Sequence, residues 1–117
     1  MLTTGRFYTE VREMRVSGWN NGSPNNTTGA GYGVRISSFS DRDKYFKRDW
    51  DKVLIELEGN GEIEVNISQS FWSGCCELRS AKIGSWMIKN NLAPWPKGIP
   101  PHLELQPLGS RRFKLKF

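Results

Sequence analysis

The sequence predicts a mostly β domain: an open barrel or sandwich of about seven short strands, with two short helices plugging its ends. Three observations lead there. Ile63, Val65 and Ile67 alternate with Glu62, Glu64 and Asn66 after the turn Gly59-Asn60-Gly61, which marks a hairpin with Val53, Ile55 and Leu57. Leu103 and Leu105, then Phe113, Leu115 and Phe117, form a second hairpin across Leu108-Gly109-Ser110. Helical signals are confined to two segments, each opened by a serine able to cap it.

Taken in order, residues 7–17 are rich in aromatic and β-branched side chains and read as the first strand. Residues 18–31, GWNNGSPNNTTGAG, are dominated by Gly, Asn, Pro, Ser and Thr and read as a loop. A loop this long inside a small domain is usually functional or disordered. Tyr32, Val34 and Ile36 alternate with Gly33 and Arg35 and give a short strand. Ser40 is the expected N-cap of the first helix, with Asp41 and Asp43 in its first turn. That helix is expected to reach Trp50 and to bury some of Tyr45, Phe46 and Trp50.

After the acidic hairpin, residues 68–79 read as irregular. Ser80 can cap the second helix, whose Ile83, Trp86, Met87 and Leu92 share a face by 3/4 spacing. A stripe of this kind belongs to a core. Pro94, Pro96, Pro100 and Pro101 end the helix and keep a central strand out of that stretch.

With 117 residues the chain has room for one domain, residues 1–117, and not for two. Five Trp, six Phe and three Tyr can supply its core. The longest apolar run, Val53-Leu54-Ile55, is far too short to span a membrane, and the first residues lack a signal-peptide stretch. A soluble, cytoplasmic protein is expected, with a monomer as the default. Cys75 and Cys76 are adjacent, a spacing that rarely reaches disulfide geometry, and read as reduced thiols. With His102 the only histidine, no zinc site, metal or cofactor is expected.

Net charge is +5, and it is unevenly spread. Residues 52–67 hold four Glu against one Lys, whereas residues 111–117 hold four basic residues and no acid. Arg79, Lys82, Lys89 and Lys97 face only Glu77 across residues 68–98. Such a chain can turn a positive face to a polyanion and an acidic back to water. No Asp or Glu is followed two residues later by Lys, so the usual acid-x-Lys strand of metal-dependent nucleases is missing. There is no P-loop, and no Gly-x-Gly-x-x-Gly follows a strand. A binding module is expected, not an enzyme.

Two segments carry the candidate contacts. The first comprises Arg15, Ser17, Trp19, Asn20 and Asn21 and continues through Asn25, Asn26 and Thr27 to Thr28. Asn amides match an adenine edge bidentately, Ser and Thr bond bases or phosphates, and Arg15 can fork onto guanine or phosphate. A solvated Asn/Gly loop explains the same composition equally well. The second runs from Ser70 through Trp72 to Ser80. Glu77 can accept from a cytosine amine and Arg79 can donate to guanine, and in extended chain the two point to one side. Equally, Glu77 and Arg79 can form a local ion pair at the entry of the following helix, with Phe71 and Leu78 in the core. Trp72 is either core or a stacking platform. Arg35, Lys82 and Lys97 are candidates for phosphate contact.

The run MRVSGWNNG, then TGAGYGVRIS and a helix with DKYF, resembles the opening of the effector-binding domains of type IIE restriction endonucleases. CCELRS before SWM and APWPKG falls where that family has its second DNA-contacting arm. The resemblance implies a DNA-binding pseudobarrel, the fold shared with the plant transcription-factor domain called B-three. It also implies a partner, double-stranded DNA, gripped by two arms in the major groove. Base contacts would come from residues 15–28 on one arm and from residues 72–82 on the other. The nuclease part of those enzymes has no counterpart here. The competing expectation is a β-barrel interaction protein that holds a peptide, a carbohydrate or an RNA through the same loop.

Overall fold

The acidic hairpin forms because its apolar residues, Leu54 apart, fall on one side of the pleat. In the computed structural model, which describes residues 13–74 and 76–117, β3 (Lys52–Leu57) pairs antiparallel with β4 (Gly61–Asn66). Val53, Ile55, Leu57 and Val65 point inward and are buried. Glu62 and Glu64 face water, as expected. The second hairpin, β6 (His102–Gly109) and β7 (Arg112–Lys116), is bent by a bulge between Pro107 and Gly109. It buries Leu103, Leu105, Phe113 and Leu115.

β1 (Met14–Asn20) and β2 (Tyr32–Ile36) make a third antiparallel pair, and β5 (Glu77–Arg79) pairs with β2. The single sheet has the order β4-β3-β7-β6-β1-β2-β5, with β3 and β7 parallel. Its two ends, β4 and β5, curl back into contact, so the seven strands form a nearly closed, barrel-like sheet. The predicted open barrel is the observed fold.

Among the described residues three helices accompany the sheet, not two: α1 (Phe39–Tyr45), α2 (Gln69–Ser73) and α3 (Ala81–Lys89). Ser80 caps α3, its hydroxyl accepting from the Lys82 N–H at 3.1 Å. Ile83, Trp86 and Met87 are buried as their spacing requires. The Trp86 indole donates to the Glu58 carbonyl at 2.9 Å, so its polar edge is satisfied inside the core.

The first helix departs from expectation at both ends. Ser38 and not Ser40 is its cap, accepting from the Asp41 N–H at 3.2 Å. It stops at Tyr45, well short of Trp50, because Phe46 leaves the helix in an extended conformation. There its ring stacks on Phe113 at 4.6 Å and packs against Phe71 at 5.0 Å. Burying that ring in an aromatic cluster outweighs one more turn of a short helix.

Residues 68–79, expected to be irregular, hold α2 and β5. Arg42 of α1 explains the first of these. Its guanidinium, only 8% exposed as a residue, donates to the Trp72 carbonyl at 2.8 Å and to the Cys76 sulfur at 3.7 Å, and pairs with Asp43 at 3.0 Å. A cation from one helix thus satisfies the carbonyl end of another. Cys76 is buried, and Phe71 and Leu78 are core. Residues 7–12 and Cys75 lie outside the described residues. No helix among the described residues is long and apolar enough to cross a membrane.

Candidate nucleic-acid interface

β1 runs on to Asn20, three residues further than its sequence predicts, because β2 provides partners for Gly18, Trp19 and Asn20. The extension sets the site. Met14, Val16 and Gly18 point inward, so Arg15, Ser17 and Trp19 point outward. Cross-strand register then aligns three rows on the outer face. Lys116, Glu104 and Arg15 form one across β7, β6 and β1. His102, Ser17, Arg35 and Glu77 form the next, across β6, β1, β2 and β5. Trp19, Gly33 and Arg79 form the third, across β1, β2 and β5.

Six expected contact residues therefore share one sheet face: Arg15, Ser17, Trp19, Glu77 and Arg79 from the two segments, and Arg35 from β2. Gly33 makes the third row work. A Cβ there would stand 2.3 Å from the Leu78 carbonyl oxygen, so only glycine lets β5 approach. Over Gly33 the Arg79 guanidinium reaches the Trp19 ring, 4.8 Å from its centroid.

Glu77 joins the arginines. One carboxylate oxygen accepts from Arg79 at 2.8 Å and the other from Arg35 at 3.0 Å. The Glu77 side chain is 8% exposed, whereas those of Arg35 and Arg79 are 45% and 53% exposed. Burial alone would push the Glu77 carboxyl up, but the hydrogen bonds from Arg79 and Arg35 outweigh it and hold the group below its ordinary range. Glu77 is thus the buried bridge of an Arg–Glu–Arg triad, and two guanidiniums stand outward above it. The expected local ion pair exists, but it also crosses to β2, and the helix that follows is capped by Ser80 instead.

The β1–β2 loop is ordered by its own asparagines. Asn20 Oδ1 accepts from the Gly22 N–H at 2.8 Å and Asn21 Oδ1 from the Ser23 N–H at 2.9 Å. Asn25 Oδ1 accepts from both Thr27 and Thr28 N–H, at 2.8 and 2.9 Å. These are Asx turns, local bonds that short polar side chains make to the backbone ahead of them. Asn26 accepts from the Tyr32 hydroxyl, anchoring the loop to the barrel wall. The composition that reads as a solvated loop is what folds it.

The two segments also meet. Gly29 of the loop lies against α3: a Cβ on it would be 2.4 Å from the Ala81 carbonyl oxygen and 2.3 Å from the Ser85 nitrogen. Between the loop and the start of α3 is an open recess of about 380 Å³, lined by Trp19, Asn21, Ala30, Gly31, Arg79 and Ser80 among others. Lys82 is exposed on the first turn of α3. Lys97 is exposed two residues after Trp95, whose ring packs edge-on to Tyr32 at 5.5 Å and closes over Gly18. Trp72 stands apart from this face. Its ring packs on Phe71 and takes the guanidiniums of Arg42 and Arg48 at 5.3 and 4.7 Å.

Much of the charge on β3, β4 and β7 is paired. Lys52 pairs with Glu64 and Lys114 with Glu56, each at 3.7 Å, and Arg112 pairs with Glu62. Lys116 pairs with Glu13. The hydrogen bond from Lys116 holds Glu13 low, and Glu13 in turn pushes the neighbouring Glu104 up. The basic run at residues 111–117 is therefore largely tied to acids, and the acidic hairpin is not a bare negative back. Among the described residues, no group of three or more His, Cys, Asp or Glu could hold a metal ion. The chain matches no family model, no curated protein and no solved structure.

Proposed function

We propose that this chain is a sequence-specific recognition module for double-stranded DNA, of the pseudobarrel kind it resembles, which binds without cutting. The β1–β2 loop and the β5–α3 junction are its two arms in the major groove. Arg79 and the amide NH2 groups of the Asn loop read bases, and Arg15, Arg35, Lys82 and Lys97 hold phosphates. The observation that carries this reading is the unbalanced charge where the two arms meet. Among the described residues, Arg35, Arg79 and Lys82 stand there against Glu77, while Lys52, Arg112, Lys114 and Lys116 elsewhere each have an acid. The order of elements, with two strands flanking the Asn loop and a helix after Arg79, agrees with the resemblance.

The bridging carboxylate gives Glu77 a different part from the one its spacing suggests. With both oxygens occupied it serves the DNA by fixing two guanidiniums, not by accepting from cytosine. The test is selection from random duplexes, followed by a salt titration of the winning sequence. Two to four phosphate contacts correspond to a log–log slope of roughly −2 to −4. A selected consensus with such a slope supports the reading. Binding that ignores sequence, or a ligand held with little salt dependence, overturns it in favour of a peptide or carbohydrate site.

A further inference from the structure

We propose that the recess between the two arms receives a single nucleobase swung out of the duplex, and that its lining selects a keto base, guanine or thymine. The inference rests on the duplex-binding reading and gives it a base-specific site. A base that stays in the stack is read by side chains that protrude into a groove. Trp19 and Arg79 instead stack on each other across Gly33, and with Asn21 and Ser80 they line a recess. Asn20, Asn21 and Asn25 turn their oxygens back onto the loop's own N–H groups. A recess meets a duplex only where part of the duplex enters it, and the planar group that DNA can deliver is an extruded base.

The recess suits that ligand in size, surface and polarity. Its volume of about 380 Å³ lies within the usual range of small-ligand sites. Indole and guanidinium planes both stack nucleobases, and Glu77 fixes the guanidinium that forms this wall. Two of the polar side chains in its lining keep donors. Asn21 has its oxygen on the Ser23 N–H and keeps its NH2. Ser80 accepts from the Lys82 N–H and keeps its O–H. The carbonyls of Ala30 and Gly31 already accept from the N–H groups of Asn25 and Asn21. A donor-rich wall pairs with O6 of guanine or O4 of thymine and opposes the amine that adenine and cytosine carry at the equivalent ring position.

The experiment measures affinity for the selected duplex with one base pair altered, placed in turn at each position. The alteration is a mispaired thymine, a mispaired adenine or an abasic site. Mispairing removes part of the cost of extrusion. At one position the mispaired thymine is expected to bind about tenfold tighter than the matched duplex. The mispaired adenine should gain less and the abasic site nothing. Trp19→Ala should erase the gain, so that mispaired and matched duplexes bind alike, and Trp19→Phe, which keeps a ring, should retain part of it. An equal gain from the abasic site means a taste for deformable DNA and overturns the proposal. Matched binding with no gain at any position overturns it too, yet leaves the duplex reading standing. No binding to any duplex overturns both.

Discussion

Gly29 and Gly84 cross backbone to backbone: a Cβ on Gly84 would stand 2.1 Å from the Gly29 carbonyl oxygen. This contact ties the β1–β2 loop to α3, and so ties one proposed arm to the other. Gly84 lies within a helix, where alanine is the better helix former by about 1 kcal/mol. The close approach is what the glycine permits.

Gly84→Ala should therefore destabilise the protein despite its helix propensity. Forcing a methyl against backbone costs about 1–3 kcal/mol, which exceeds the gain. Urea unfolding is expected to show a lower midpoint, and amide exchange should quicken in residues 21–31 before it does in β3 and β4. Unchanged stability with unchanged loop protection would mean that the crossing is not tight.

Glu77→Gln should lower stability and alter its pH dependence. The Glu77 carboxyl is held below its ordinary value of 4.5. In the window below that value the unfolded chain binds more protons than the folded one, so stability rises with pH there. The contribution is whole above that value and is lost as pH falls through the folded pKa. Replacing the carboxylate should cost about 1–3 kcal/mol near neutrality, and the difference between wild type and variant should shrink in acid. Denaturation followed across that range checks the sign. A difference that grows toward low pH would contradict the bridging role.

Arg79→Ala and Lys82→Ala should behave differently on DNA. Loss of Arg79 is expected to cost about 1–3 kcal/mol on the preferred duplex and to relax choice at one base pair. Loss of Lys82 should weaken all duplexes about equally and reduce the salt slope by about one. Competition binding against single-position variants of the selected site separates the two. If Arg79→Ala shifts only the melting temperature, the triad is structural and the reader lies elsewhere.

Reversing Glu62 and Glu64 to Lys should leave sequence preference untouched. Their partners are Arg112 and Lys52, in pairs exposed enough to be worth about 0–1 kcal/mol each. Overall affinity for DNA should rise through long-range attraction, more at low salt than at high salt. A changed consensus would put the binding face on the wrong side of the barrel.

Much of the fold was legible because it depends on local alternation. The β3–β4 and β6–β7 hairpins, the Ser80 cap and the buried face of α3 follow from residues a few positions apart. The Asn loop was legible as a feature but not as a structure. Its order comes from the Asn26–Tyr32 bond and the Gly29–Gly84 crossing, and composition cannot tell an Asx-turned loop from a solvated one. Helix α1 was misjudged at both ends, since Ser38 and Ser40 are equal as caps on paper and only the Phe46–Phe113 stack decides where the helix stops.

By itself the sequence determined the mostly β, barrel-like architecture and every strand but β5, the positive balance and the residue types available for contact. It also placed Glu77 and Arg79 on one side, because strand geometry has a period of two. Only the tertiary structure decided that Arg35 lies opposite Glu77, and that Trp19 and Arg79 meet over Gly33. Register between strands distant in the chain depends on how the whole barrel closes and on where glycine allows close approach. No local pattern encodes that. The pairing of the C-terminal bases with acids on β3, β4 and the start of β1 was hidden for the same reason. Charge counted along a chain becomes a surface only once the sheet has brought its strands together.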